Sequence, residues 1–170
     1  LMSVTVLFEE GRLRDYNAGT DEDALLRTAI RLHNAYRLPK ELDDRTRMFC
    51  QILRDADKID ILRVNVETPM EQIYNVSTGA LRQSPVSPAV LDAFYEHHCV
   101  LRTLNHYPAD NAVGHASFVF ELCYPESLRA VAEQGWLWKL LDFKTENPDT
   151  AKAFAGMKAE MQRWLEEHIK

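Results

Sequence analysis

Apolar residues recur at intervals of three and four along almost the whole chain, and no stretch alternates apolar with polar over the length of a strand. That periodicity restricts the chain to helices packed on helices. Residues 2–9 read as the end of a helix closed by Gly11 in the C-terminal cap position. Thr20, followed by Asp21-Glu22-Asp23, reads as an N-cap with an acidic first turn suited to the positive end of a helix dipole. The helix it opens runs to about Tyr36 and stops before Pro39. A longer helix starts near Asp43-Asp44 and continues to about Val66, ahead of Pro69. Residues 68–88, with three prolines, Gly79 and several Ser and Thr, read as a connector containing one helical turn. Further helices are predicted from Ser87-Pro88 through His97, over roughly 109–122, from Pro125 to Gly135, over about 136–143, and from Pro148 onward. The last carries Phe154, Met157, Met161, Trp164 and Leu165 on one stripe. The expected fold class is an all-α helical bundle with short loops.

The length of 170 residues, with 46% apolar and 27% charged side chains, suits one globular domain with a sizeable core. It excludes a disordered tail and a disulfide-stapled miniprotein. Twenty basic against 26 acidic side chains leave a net charge of -6, and no run of Lys or Arg exceeds two, so nucleic acid is not an expected partner. Cys50, Cys99 and Cys123 are widely spaced and odd in number, as free thiols in a reducing compartment are. The longest apolar runs fall short of the roughly 18 residues that cross a bilayer. The expectation is a soluble cytoplasmic protein with no membrane partner.

At about 100° per residue, Phe49, Ile52, Leu53, Ala56, Ile59, Arg63 and Val64 of the long helix fall within one sector, which is the expected buried face. Asp60 lies near its middle, Asp57 at its edge one turn earlier, and Asp55 points roughly the opposite way. A carboxylate within an apolar stripe requires a cation, a metal or several hydrogen-bond donors. Asp57 and Asp60 are therefore either members of a site or partners in a salt bridge with Arg63 or with an arginine of a neighbouring helix. In the preceding helix Leu26, Ala29, Ile30, His33 and Tyr36 recur at the same spacings and bring His33 to the core-facing stripe. His33 is either a hydrogen-bonded core histidine or a ligand, and antiparallel packing of the two helices brings it toward Asp57. Imidazole nitrogen with carboxylate oxygen suits a metal such as Fe, Mn, Ni or Zn.

Together, "AIRLHNAYRLP" (29–39) and "ILRDADKIDILRV" (52–64) resemble the second half of an HD-domain metal-dependent phosphohydrolase. "LRTLN" (101–105) and "ESLRAVAEQGWLWKLL" (126–141) are similar to the C-terminal extension of a bacterial subfamily of these enzymes. The resemblance implies an HD-type helical bundle: a partial HD domain over about 1–68, with a helical extension over about 69–170. It implies a divalent metal (Mn, Fe, Mg, Ni, Co or Zn) and a small phosphoester or nucleotide as substrate. Asp57 corresponds to the family's late metal-ligating Asp, and His33 to the extra histidine that binds a second metal or a substrate phosphate. Lys58 is placed to pair with phosphate, and Asp60 to orient a ligand. In that mechanism a metal-bound water attacks phosphorus while the metal and nearby cations stabilise the added charge.

The departure from the family is specific. No adjacent His-Asp doublet occurs anywhere in the sequence, and His33 is the only histidine ahead of Asp57. Translation does not begin at leucine, so Leu1-Met2 predicts that the chain is the back portion of a longer enzyme, missing its N-terminal helices and inactive alone. The vacated half of such a fold exposes apolar surface, which predicts self-association. The rival expectation is a non-catalytic helical interaction or dimerisation module derived from the same fold.

Other clusters are less promising. His97-His98-Cys99 diverge by about 100° per residue on a helix, which disfavours binding of one ion. His106 and His115 stand near the "LRTLN" stretch, whose Arg102 and Asn105 are either pocket-lining residues or, more often, capping or surface residues. There is no Gly-rich phosphate loop, nucleophile elbow or dinucleotide fingerprint.

Overall fold

Helices form where the periodicity places them, and most of their ends fall at the prolines and glycines of the sequence. The protein's structure is a computed structural model that describes residues 2–16 and 19–169; among these there is no β-strand. Leu1, which carries the expectation of an upstream segment, lies outside the described residues. The chain divides into two compact units, Leu1–Asp57 and Lys58–Lys170.

In the first unit, α1 (Met2–Val4) continues as a wider π-type turn over Thr5–Glu9. Gly11 then takes a φ of 77°, a left-handed conformation that glycine adopts without strain. A 3₁₀ turn over Arg12–Asp15 buries Leu13. α2 (Asp23–Leu32) is shorter than expected: Glu22 occupies its N-cap, and Thr20 contributes only its carbonyl, which accepts from Asp23 N–H at 3.1 Å. α3 (Asp44–Glu67) begins where Asp43 Oδ1 accepts from Thr46 N–H at 2.9 Å. Hydrogen bonds from the Thr46 side chain and then from its N–H hold the Asp43 carboxyl below its usual range.

The buried face of α3 differs from the expected one. Cys50, Arg54 and Asp55 are buried on its first part, and Lys58, Leu62 and Asn65 on its second. Of the predicted apolar sector, Ile52 is 49% exposed, Ala56 is exposed, and Phe49, Leu53, Ile59, Arg63 and Val64 are half-buried. Asp55, expected to point outward, is 2% exposed. Polar groups sit inward because partners exist for them: Arg54 Nη1 donates to the Ala35 carbonyl, so its guanidinium is not orphaned.

The second unit holds the main core. The connector over 68–88 contains two short helices rather than one turn: α4 (Met70–Tyr74) and α5 (Thr78–Gln83). Ser77 caps α5 by accepting from Ala80 N–H at 3.1 Å. α6 (Pro88–Tyr95) ends before His97, which sits at a left-handed φ of 59°. The helix expected over 109–122 changes pitch partway, from α7 (Pro108–Ala116) to a 3₁₀ segment over Ser117–Glu121. α8 (Pro125–Gln134) ends at Gly135, whose φ is 74°, and α9 (Trp136–Leu141) follows at once. α10 (Pro148–His168) is capped by Asn147, whose Oδ1 accepts from Asp149 and Thr150 N–H at 3.0 and 3.1 Å.

α7 lies at the centre of this unit, with α5, α6 and α9 packed against it. Its Ala109, Ala112, Val113 and Ala116 are fully buried, small side chains that let the neighbouring helices approach closely. α10 buries the whole predicted stripe of Phe154, Met157, Met161, Trp164 and Leu165, and Phe143 stacks on Phe154 with centroids 4.5 Å apart. Each large apolar side chain so buried contributes about 1.5–3 kcal/mol. Asp110 is also fully buried: Oδ1 accepts from Ser87 N–H at 2.8 Å, while Oδ2 accepts from Ser87 Oγ, His106 N–H and Tyr107 N–H at 2.7, 2.8 and 2.9 Å. These bonds tie the segment entering α6 to the one entering α7. No helix among the described residues is long and apolar enough to cross a membrane.

Candidate functional site

The first unit carries His33 and Asp57. His33 sits at the C-cap of α2, half-buried, with Nδ1 2.6 Å from the Ile30 carbonyl. A carbonyl only accepts, so Nδ1 is the nitrogen that holds the proton in the neutral ring, and the lone pair of that tautomer lies on Nε2. In that arrangement the other ring nitrogen donates to a carbonyl, as a metal-ligating histidine commonly does. Asp57 is half-buried on α3. Among the described residues, however, no group of three or more His, Cys, Asp or Glu side chains converges to hold a metal ion. The residues described do not by themselves fit a divalent metal, which needs more protein donors than this pair supplies.

Lys58 and Asp60 belong to the second unit and are engaged there. Lys58 Nζ donates to Glu121 Oε2 at 2.7 Å. Asp60, expected near the middle of the buried face, is exposed and accepts from Arg63 Nε at 2.9 Å. Arg63 also bonds to Glu67, one turn farther along. Arg63 is the partner that the salt-bridge reading of Asp60 anticipated, but the contact is within α3 rather than between helices.

A further polar cluster in the second unit is one that spacing did not single out. Asn65 of α3, Tyr74 of α4 and His115 of α7 meet at the edge of the second unit's core. Asn65 Nδ2 donates to the Ile61 carbonyl at 2.8 Å, which fixes the amide and turns Oδ1 toward the other two groups. Oδ1 accepts from Tyr74 Oη at 2.5 Å and lies 2.9 Å from His115 Nδ1. An amide oxygen only accepts, so His115 Nδ1 is protonated and Nε2 keeps the lone pair. Burial, and then the positive charge of Arg102, lower the His115 pKa to about 4. Burial likewise pushes the Tyr74 phenol well above its ordinary value. Both groups are therefore neutral at physiological pH, and His115 offers an unprotonated nitrogen.

Two features hid this cluster from a reading of the sequence. Asn65 lies on the polar stripe of α3 rather than on its apolar one, and His115 stands alone in the small-residue run "NAVGHAS". The adjacent His97, His98 and Cys99 form no cluster: His97 Nε2 meets Glu160 Oε1 at 2.7 Å, and its ring packs on Phe120 and Trp164.

No family model, curated protein or solved structure matches the chain.

Proposed function

We propose that this chain is a portion of a metal-dependent phosphohydrolase of HD type, acting on a small phosphoester or nucleotide, with Asp57 and His33 contributing to the metal set. The observation that carries this reading is the His33 tautomer. In the neutral ring the Ile30 carbonyl holds the proton on Nδ1 and leaves the lone pair on Nε2, at the end of the helix that precedes the one bearing Asp57. The supporting sequence features are the "HN" and "DADK" segments at their family-like separation. The ligand set is short by the His-Asp doublet, so the chain alone is expected to bind metal weakly and to turn over no phosphoester. Lys58 and Asp60, engaged by Glu121 and Arg63, are left outside this reading.

The test is to assay phosphatase and nucleotidase activity with Mn, Mg, Ni and Co, for this chain and for a version extended upstream in its reading frame to a His-Asp doublet. Activity that appears only in the extended chain, and is lost in D57N, supports the proposal. An extended chain carrying the doublet that hydrolyses no phosphoester overturns it.

A second reading, a helical interaction or dimerisation module, is favoured by the exposure of Tyr36, Met48 and Ile52 at 48, 42 and 49% in the first unit. It predicts that added metal leaves the melting temperature unchanged and that light scattering finds a dimer. A monomer that metal stabilises counts against it.

A further inference from the structure

The second unit carries an open cleft of about 280 Å³ to which α3, α4, α5 and α9 each contribute a wall. Val66, Met70, Leu81 and Phe143 line it with apolar surface, and Arg82, Lys139 and Lys144 place three cations on it. Arg82, Phe143 and Lys144 also line an adjoining lobe of about 270 Å³. Three cations on one cleft are a local departure in a chain of net charge -6.

Three carboxylates share the walls of the two lobes, and each has donors of its own. Asp142 Oδ1 accepts from Lys158 Nζ at 2.5 Å, and Glu146 Oε2 accepts from Gln83 Nε2 at 2.6 Å. Glu71 is held below its usual range by hydrogen bonds from its own N–H and from the Thr78 side chain. The cations are less fully matched. Arg82 Nη1 stands 3.6 Å from Glu146 Oε1, beyond hydrogen-bond reach. Lys139 and Lys144 are exposed and make no ion pair among the described residues; the Lys139 ammonium lies over the Trp136 ring, 4.3 Å from its centroid.

The backbone brings two of these cations together in advance. The Arg82 carbonyl accepts from Glu146 N–H at 2.9 Å and from Thr145 Oγ1 at 2.8 Å, and the Gln83 carbonyl accepts from Asn147 Nδ2 at 3.3 Å. The loop that carries Lys144 is thereby tied to the end of α5, so Lys144 and Arg82 stand on one cleft before any ligand arrives.

Arg and Lys only donate, so the ligand supplies acceptors and negative charge. A carboxylate brings one charge, whereas a phosphate monoester brings about -1.5 to -2 and three acceptor oxygens, one for each cation. The group esterified to it is apolar, because hydroxyls set against Val66, Met70 and Leu81 lose their water without gaining a partner. We propose that this cleft binds a small phosphate monoester of an apolar alcohol or phenol, with the phosphate on Arg82, Lys139 and Lys144 and the apolar group against Met70, Leu81 and Phe143. The site lies wholly within Lys58–Lys170, includes neither His33 nor Asp57, and does not depend on the phosphohydrolase reading.

The experiment titrates the full chain with phenylphosphonate, whose P–C bond is not open to phosphoester hydrolysis, and follows binding by calorimetry and by phosphorus NMR of the ligand. Three comparison compounds each remove one feature: methylphosphonate lacks the large apolar group, benzoate carries a single charge, and benzylamine reverses the sign. Phenylphosphonate should bind about tenfold tighter than any of them, the gain expected of one added charge-assisted contact or of a buried ring. K144Q changes an exposed side chain without an ion pair, so it should leave the melting temperature unchanged while weakening phenylphosphonate about tenfold. The proposal is overturned if phenylphosphonate does not bind, if a comparison compound binds equally well, or if K144Q binds it like the wild type.

Discussion

Lys58 and Glu121 form an ion pair withdrawn from solvent, with Nζ 2.7 Å from Oε2 and side-chain exposures of 11 and 28%. The pair joins the second part of α3 to the 3₁₀ segment that follows α7, two elements 63 residues apart in sequence. Removing one partner strands the other charge. E121Q leaves an ammonium largely buried without its carboxylate and should cost about 2 kcal/mol, less than for a fully sealed pair because Glu121 is partly wet. K58M replaces the ammonium with an apolar chain of similar length and should cost less. Urea unfolding of the two variants checks this order; an E121Q midpoint equal to wild type contradicts it.

The neutral state of His115 makes stability depend on pH. Its ordinary pKa of 6.5 falls to about 4 in the folded chain. Between those values the unfolded chain binds a proton that the folded chain refuses, so stability falls as the pH drops through this window and this contribution stops falling below it. The loss should be on the order of 2 kcal/mol after allowing for a partly accessible ring. H115N keeps a donor in the Nδ1 position toward Asn65 and removes the titration. Its stability should show a smaller slope than wild type between pH 4 and 6.5, measured by denaturant unfolding at each pH.

Gly156 marks a close approach of helices. A Cβ placed there stands 2.6 Å from Tyr95 Oη. Alanine in a helix interior is favoured over glycine by up to about 1 kcal/mol, but here that gain is opposed by the displaced tyrosine. G156A should therefore change stability little in the wild type and stabilise by about 0.5–1 kcal/mol when combined with Y95F. Thermal unfolding of the single and double variants reads the coupling; equal effects in both backgrounds rule out the steric conflict.

The exposed side of α3 gives the plainest contrast. Ile52 is 49% exposed and Leu62, on the same helix, is 2% exposed. L62A should cost about 2–5 kcal/mol, whereas I52A should cost no more than about 0.5. A large loss for I52A at micromolar concentration, absent on dilution, is the signature of a second copy covering that side.

Helix existence was legible in the sequence because it rests on local chemistry. Pro88, Pro125 and Pro148 occupy the first turns of α6, α8 and α10, Gly135 divides α8 from α9, and the α10 stripe is buried as its spacing foretold. The rotation of α3 was not legible, for a physical reason. Ranking faces by apolar content assumes that polar groups face water, but Arg54, Lys58 and Asn65 are buried against hydrogen-bond partners supplied by other segments of the chain: acceptors for Arg54 and Lys58, and the Tyr74 hydroxyl as a donor to Asn65. A sequence scan does not see those partners. The same blindness hid the site on α7, where Asn65, Tyr74 and His115 come from three helices and share one amide oxygen. Of the residues singled out in advance, the structure gives His33 a tautomer suited to ligation and gives Asp60 and Lys58 protein partners.

The four bonds to Asp110 bear on which sequences this fold tolerates. Every group that faces the carboxylate is a donor, on both of its oxygens. Asparagine has nearly the same shape, yet in either orientation its NH₂ group points at an N–H that has nothing to accept with. Glutamate keeps both oxygens but is one methylene longer than a site with no exposed surface admits. Position 110 is thus restricted to a single side chain by the arithmetic of donors and volume, without any appeal to a ligand. A substitution there should be read first as a loss of the fold and only afterwards as a loss of function.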